Sequence, residues 1–197
     1  FLLGRCRYCK SKISPRYLIV ELITPILALL LYSKYAFTWQ FISYFILVSI
    51  LIIVSFTDIE QQIIPNIMIL IGFIFGLTFS LTGVTIKFID AILGFIVGSG
   101  SLLIITLISL LVLGKEGMGG GDIKLLGAIG LFMGWKMTLL TFLFSLYIGG
   151  IFSILLLLLK IKKRGDYIPF GPFISLATLI TLLWGKDIAS WYIISFL

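Results

Sequence analysis

Two aspartates that lie far apart in the chain, Asp58 and Asp122, are the residues best suited to do chemistry. An acid at membrane depth is energetically costly, so it indicates a functional site when a partner can reach it. Two aspartates in a partly desolvated site hold one proton between them, which gives one acid and one base. Such a pair can activate water against a peptide carbonyl without histidine or a covalent intermediate.

The loop that carries Asp122 is the most glycine-rich interruption of an otherwise apolar sequence. Its glycines are Gly117, Gly119, Gly120 and Gly121. Glycine lets the backbone turn sharply and approach another segment closely, so we expect this loop to fold against a neighbour. Lys124 is the cation nearest to the aspartate, and it either holds one aspartate ionised or meets lipid phosphate.

Simpler interpretations of these acids remain open from spacing alone. Asp122 could serve as the N-cap of the helix that follows it, by accepting a backbone N–H. Asp58 could be a solvated acid at a helix end, as Glu60 beside it is expected to be. A dinucleotide-binding loop is disfavoured, because no strand precedes the glycines.

The composition predicts an all-α, polytopic transmembrane helical bundle. Hydrophobic residues make up 60% of the 197 residues and charged residues 12%, whereas soluble domains carry about a quarter charged residues. Only helices or a closed barrel satisfy the backbone in lipid, and the unalternated apolar run at 91–113 excludes a barrel. The absence of histidine excludes Ser-His-Asp and Cys-His catalysis.

About seven membrane segments are expected from the apolar runs. They lie at 17–32, 39–56, 66–82, 88–113, 123–135, 137–159 and 168–184. A final run at 188–197 is too short to span a core that needs about 20 residues. Gly-x-x-x-Gly steps at 72/76, 94/98 and 130/134 would let the helices pack closely.

The distribution of basic residues predicts the orientation of these segments. If the basic residues 1–16 are cytoplasmic and every segment crosses, the loops at 57–65, 114–122 and 160–164 also lie in the cytoplasm. Only Lys34, Lys87, Lys136 and Lys186 then remain on the opposite side, as the positive-inside rule requires. Asp58 and Asp122 are therefore expected at the same, cytoplasmic face.

Cys6 and Cys9 form a Cys-x-x-Cys pair near the start of the chain. This spacing suits half of a zinc site, but a tetrahedral structural site needs four ligands. The chain has no other cysteine and no histidine, so two reduced cytoplasmic thiols are the alternative.

Four motifs resemble those of the prepilin peptidases, also called type IV leader peptidases, which are aspartic proteases of the membrane. The sequence Gly119-Gly120-Gly121-Asp122 resembles the family's Gly-x-Gly-Asp signature, and Asp58 resembles its first catalytic aspartate. Residues 168–173, Ile-Pro-Phe-Gly-Pro-Phe, match its Pro-Phe-Gly-Pro box. Residues 4–21 resemble the second half of its four-cysteine cytoplasmic loop.

The resemblance implies a membrane aspartic endopeptidase that removes the leader of type IV prepilins or pseudopilins by cutting after a glycine. It implies Asp58 and Asp122 as catalytic residues, a bacterial inner-membrane location and no cofactor for proteolysis. Residues 1–16 would be a remnant of the cytoplasmic loop, and 17–197 the peptidase domain. In a full-length protein, zinc and S-adenosylmethionine would serve N-methylation. The alternative from another class is a proton-coupled transporter, with acids near the membrane midplane and repeated halves.

The net charge of +7 does not indicate a nucleic-acid partner. The basic residues lie where membrane orientation requires them, and anionic lipid head groups are ready partners, worth about 1 kcal/mol per Lys or Arg. Because prepilin leaders are themselves basic by this resemblance, Glu60 and Glu116 are the leading candidates for substrate contacts. An apolar groove is expected to receive the pilin helix.

Overall fold

The protein is all-helical in its computed structural model, which describes residues 7–12, 14–114, 117–163 and 166–196. Within these residues the helices are α1 (Pro15–Tyr35), α2 (Trp39–Gln61), α3 (Asn66–Leu81), α4 (Phe88–Leu113), α5 (Gly120–Leu158) and α6 (Gly171–Phe196). Five are long and apolar enough to cross a membrane, and α3 is shorter, with 16 residues. The predicted fold class is confirmed.

Helix α5 consists of two arms that fold back on each other at Gly134. This residue has φ 76° and ψ 169°, a conformation that favours glycine. A Cβ placed on Gly98 would lie 2.4 Å from the Leu126 carbonyl oxygen and 3.0 Å from Thr138 Cγ2. A straight helix would separate Leu126 from Thr138 by about 18 Å, so the chain must reverse between them. The predicted segments 123–135 and 137–159 correspond to the two arms.

The prediction of a separate run at 188–197 is wrong, because α6 continues through it to Phe196. The polar step at 185–187 does not end the helix. It contains no proline, and Gly185 packs closely against Met137 of α5, where a Cβ would lie 3.1 Å from the sulfur. In the described part of the chain, the seven expected segments and the final run thus correspond to six helices.

Helices α4 and α5 pack backbone against backbone, as the Gly-x-x-x-Gly steps predict. A Cβ on Gly130 would lie 2.2 Å from the carbonyl oxygen of Gly94, and a Cβ on Gly94 would lie 2.3 Å from that of Gly130. On α3, a Cβ on Gly76 would lie 2.8 Å from Leu131 Cβ. The first arm of α5, which carries Asp122 in its first turn, is therefore held between α3 and α4.

We expect Gly130→Ala to destabilise this packing by about 1–3 kcal/mol, because the added methyl group forces two backbones apart. Thermal unfolding in detergent measures the loss. Gly150→Ala is the matched control, since a Cβ at Gly150 meets nothing within 4 Å. Equal unfolding temperatures for the two variants would contradict the close contact.

Candidate active site

Asp58 lies in the last turn of α2, with only 1% of its surface exposed. Its Oδ2 accepts a hydrogen bond of 2.8 Å from the backbone N–H of Gly171, the first residue of α6. The N-terminus of a helix carries partial positive charge and favours a carboxylate. The interpretation of Asp58 as a solvated acid is therefore wrong.

Asp122 lies in the first turn of α5 and is 3% exposed. The N-cap of this helix is Gly119, so the interpretation of Asp122 as the N-cap is wrong. The Asp122 side chain instead reaches back and accepts the backbone N–H of Gly119. Its Oδ1 is buried and has no hydrogen-bond partner in the described parts of the chain.

The two aspartates meet in one cleft of about 340 Å³, as their predicted common face requires. The cleft is lined by Asp58, Gln62, Ile63, Ile64, Asn66, Gly119, Gly120, Gly121, Asp122, Lys124 and Tyr167. The two carboxyl groups are close enough to interact electrostatically. Two carboxyl groups buried beside each other are able to share a proton and act as an acid and base pair.

Glycines bring the start of α5 against the loop between α2 and α3. A Cβ on Gly121 would lie 3.0 Å from the Cβ of Ile64, so a larger residue there would push α5 away from that loop. Gly117 packs similarly against Ser109 of α4, where a Cβ would lie 2.9 Å from the serine Cβ. A Cβ on Gly120 would meet nothing within 4 Å. Close approach therefore explains Gly117 and Gly121, but not Gly120.

The candidate polar residues around the aspartates take other partners. Lys124 donates to Asn66 Oδ1 at 3.3 Å, and within the described residues it makes no ion pair with either aspartate. Glu60 forms an ion pair with Arg16 of α1 and does not line the cleft. Glu116 lies outside the described residues.

The cysteines are separate from this cleft. Cys9 is exposed, with its Sγ 3.0 Å from Ser11 Oγ, and Cys6 lies outside the described residues. No cluster of three or more metal-binding side chains occurs in the ranges that the structure describes. The two thiols of Cys6 and Cys9 would supply two of the four ligands of a tetrahedral zinc site.

Two contributions to the site were not identified from the sequence. The Gly171 N–H that binds Asp58 belongs to the Pro-Phe-Gly-Pro stretch. The sequence motif marks this stretch as a family feature, but it does not predict the hydrogen bond to Asp58. Tyr167 lines the cleft from the preceding loop. Burial, followed by the negative charges of Asp122 and Asp58, raises the pKa of the Tyr167 hydroxyl, so it remains a hydrogen-bond donor at neutral pH.

Comparison of the sequence with known protein families gives two matches. The profile of the type IV leader peptidase family matches residues 45–154, and that of the bacterial peptidase A24 N-terminal domain matches residues 1–35. No solved structure gives a significant match.

Curated relatives named prepilin leader peptidase/N-methyltransferase align with almost the whole chain. The protein of Aeromonas hydrophila is 36% identical over 197 residues, which cover 100% of this chain and 68% of the relative. That of Aeromonas salmonicida strain A449 is 37% identical, covering 98% and 66%. That of Pseudomonas aeruginosa is 37% identical, covering 96% and 66%. The chain thus spans about two thirds of the length of these relatives.

Proposed function

The chain belongs to the type IV leader peptidase family, and from this membership we propose that it is a membrane aspartic endopeptidase that removes the leaders of type IV prepilins or pseudopilins. One observation carries the proposal: Asp58 from α2 and Asp122 from α5 line the same cleft, and both are almost fully buried. Within the described residues, Asp58 and Asp122 are the two acids that line this cleft.

The proposed reaction uses the two aspartates alternately as base and acid. The ionised aspartate takes a proton from water, whose oxygen attacks the carbonyl carbon of the scissile bond. The protonated aspartate first donates a hydrogen bond to the carbonyl oxygen. A proton then passes to the departing amine nitrogen as the C–N bond breaks, so the leader gains a carboxylate and the mature protein an amine. The backbone N–H groups of Gly171 and Gly119 hold the two carboxyl groups in place.

An apolar groove of about 390 Å³ adjoins the cleft and suits the hydrophobic segment that follows the scissile bond. It is lined by Asn66, Ile67, Ile69, Leu70 and Phe73 of α3, together with Lys124. Asn66 and Lys124 line both the groove and the cleft, so a bound chain could pass from one to the other without leaving the surface. We propose that the start of the mature pilin helix lies in this groove.

Leu70→Trp should fill the groove and raise the KM for prepilin about tenfold, equivalent to about 1.4 kcal/mol, while kcat changes little. Ile74→Trp is the matched control: Ile74 lies one turn further along the same helix, is similarly exposed, and does not line the groove. Steady-state cleavage of prepilin measures both variants. An equal rise of KM in both would argue against binding in this groove.

For the leader itself we propose Glu60 and Glu116 as acidic contacts. The ion pair between Glu60 and Arg16 is partly exposed, and exposed pairs contribute about 0–1 kcal/mol, so a basic leader could replace Arg16 at small cost. The basic residues near 160–164 are assigned to orientation and to anionic lipid instead. This orientation would place the cleft at the cytoplasmic face of a bacterial inner membrane.

N-methylation is a second activity in the names of the relatives, and we propose it only for a longer protein that carries the complete four-cysteine loop. Such a protein would supply the missing zinc ligands alongside Cys6 and Cys9, and S-adenosylmethionine would be the methyl donor. Proteolysis by Asp58 and Asp122 requires neither group.

Cleavage of a purified prepilin by the detergent-solubilised protein tests the proposed function. The transporter alternative predicts no cleavage, but predicts proton uptake into proteoliposomes that contain the protein. The transporter is disfavoured because Asp58 and Asp122 lie near helix ends rather than near the middle of a span. Proton uptake without prepilin conversion would overturn the proposal.

A further inference from the structure

Tyr167 supplies the cleft with a neutral hydrogen-bond donor. It lies in the loop between α5 and α6, and its side chain lines the same cleft as Asp58 and Asp122. The side chain is 46% exposed, so an incoming peptide can reach it. A carboxylate can only accept hydrogen bonds, whereas a phenol can donate one. Tyr167 can thus donate a hydrogen bond within the cleft, which the ionised aspartate cannot do.

The missing side chain of Gly119 leaves a space between Tyr167 and Asp122. A Cβ built on Gly119 would lie 3.3 Å from Asp122 Oδ2 and 4.0 Å from the Tyr167 hydroxyl oxygen. Gly119 has φ −72° and ψ 146°, values that any L-residue adopts, so its backbone conformation does not require glycine. The space itself is the feature that glycine preserves, and it is bounded by a carboxyl group on one side and a hydroxyl group on the other.

The loop that carries Tyr167 is fixed at both sides of the residue. Lys162 Nζ donates to the Tyr167 carbonyl oxygen at 3.3 Å, and the Lys163 N–H donates to Asp166 Oδ2 at 2.8 Å. Four residues after the tyrosine, the Gly171 N–H binds Asp58. The loop that carries Tyr167 is therefore tied to the Asp58 carboxyl group, and this contact fixes where the Tyr167 hydroxyl lies relative to Asp58.

We propose that the Tyr167 hydroxyl donates a hydrogen bond to the carbonyl oxygen of the scissile peptide bond, which lies in the space beside Gly119. This inference rests on the proposed peptidase function. When water attacks, negative charge develops on that oxygen, and a donor already in place stabilises it. The proton stays on the tyrosine, so the reaction of the two aspartates is unchanged. The other polar side chains that line the cleft without a carboxyl group are Gln62, Asn66 and Lys124, and Lys124 Nζ donates a hydrogen bond to Asn66 Oδ1.

Tyr167→Phe removes the hydroxyl and keeps the ring. With full-length prepilin in detergent micelles, we expect kcat to fall about tenfold to 100-fold, while KM changes less than threefold. The loss should be smaller than the roughly 10²–10³-fold that removal of a fully enclosed donor causes, because Tyr167 is partly exposed. Tyr147→Phe is the matched control, because Tyr147 is exposed on the second arm of α5 and does not line the cleft. Thermal unfolding of both variants should match the parent protein.

Gly119→Ala provides a second test of the space. Its methyl group would narrow the space between the Asp122 carboxyl group and the Tyr167 hydroxyl group, so cleavage should fall in this variant even though Tyr167 is present. Adding Tyr167→Phe to Gly119→Ala should then cause little further loss.

The outcomes separate this inference from the function on which it rests. If the parent protein cleaves prepilin, Asp58→Asn does not, and Tyr167→Phe retains kcat within twofold, the peptidase stands and the role of the hydroxyl is refuted. A rise in KM alone would also refute it, because that result indicates ground-state binding. If the parent protein does not cleave prepilin at all, the proposed function fails first.

Discussion

Asp58→Asn and Asp122→Asn should each lower the rate constant for prepilin cleavage by at least about 10³-fold. General acid and base catalysis contributes about 10²–10⁴-fold, and each substitution removes a group that takes part in both halves of the reaction. Asparagine has nearly the same shape as aspartate, so the fold should survive. Single-turnover cleavage with excess enzyme measures the rate without dependence on product release.

The double variant provides the stricter form of this test. Because the two aspartates act as one unit, the double variant should be no slower than the slower single variant within a few-fold. Unfolding temperatures should stay near that of the parent protein or rise, since both carboxyl groups are nearly fully buried. Two independent, multiplying losses would indicate that the aspartates contribute separately and would contradict the shared-proton mechanism.

Gly171→Ala should lower kcat about 100-fold through steric displacement of Asp58. A Cβ at this position would lie 2.7 Å from Asp58 Oδ2, a separation that real structures essentially never show. Alanine keeps the backbone N–H, so the variant changes the position of the carboxyl group without removing its donor. A displacement of about 1 Å in a catalytic group can cost 10²-fold in rate.

Gly100→Ala is the matched control for this substitution, because a Cβ at Gly100 meets nothing within 4 Å. Its kcat should equal that of the parent protein. Full activity in Gly171→Ala would show that Asp58 tolerates displacement, and would separate the Gly171 contact from catalysis.

The pairing of Asp58 with Asp122 could be predicted because it depends on features that a sequence displays directly. The lengths of the apolar runs and the placement of basic residues fix which helix ends share a face. The glycines at 94 and 130 indicate where helices can touch. These features together place two acids at one end of the bundle, although they give no distance between them.

The contacts that complete the cleft could not be predicted, because they join residues without any repeating pattern. The Gly171 N–H reaches Asp58 across 113 positions in the sequence. Tyr167 is a single aromatic residue in a loop, and nothing in its spacing distinguishes it from a lipid-facing tyrosine. The continuity of α6 through Gly185 was likewise missed, since the packing of Met137 against this glycine is a tertiary effect.

Mass spectrometry of the products formed from a full-length prepilin tests the central claim most directly. The proposal predicts one new mature protein and one released leader, cut at a single peptide bond immediately after a glycine and before the hydrophobic segment. Neither product should form with Asp58→Asn or Asp122→Asn. Cleavage at the same bond by either variant at the parent rate would contradict the assignment of the two aspartates, and an intact prepilin after incubation with the parent protein would contradict the peptidase function.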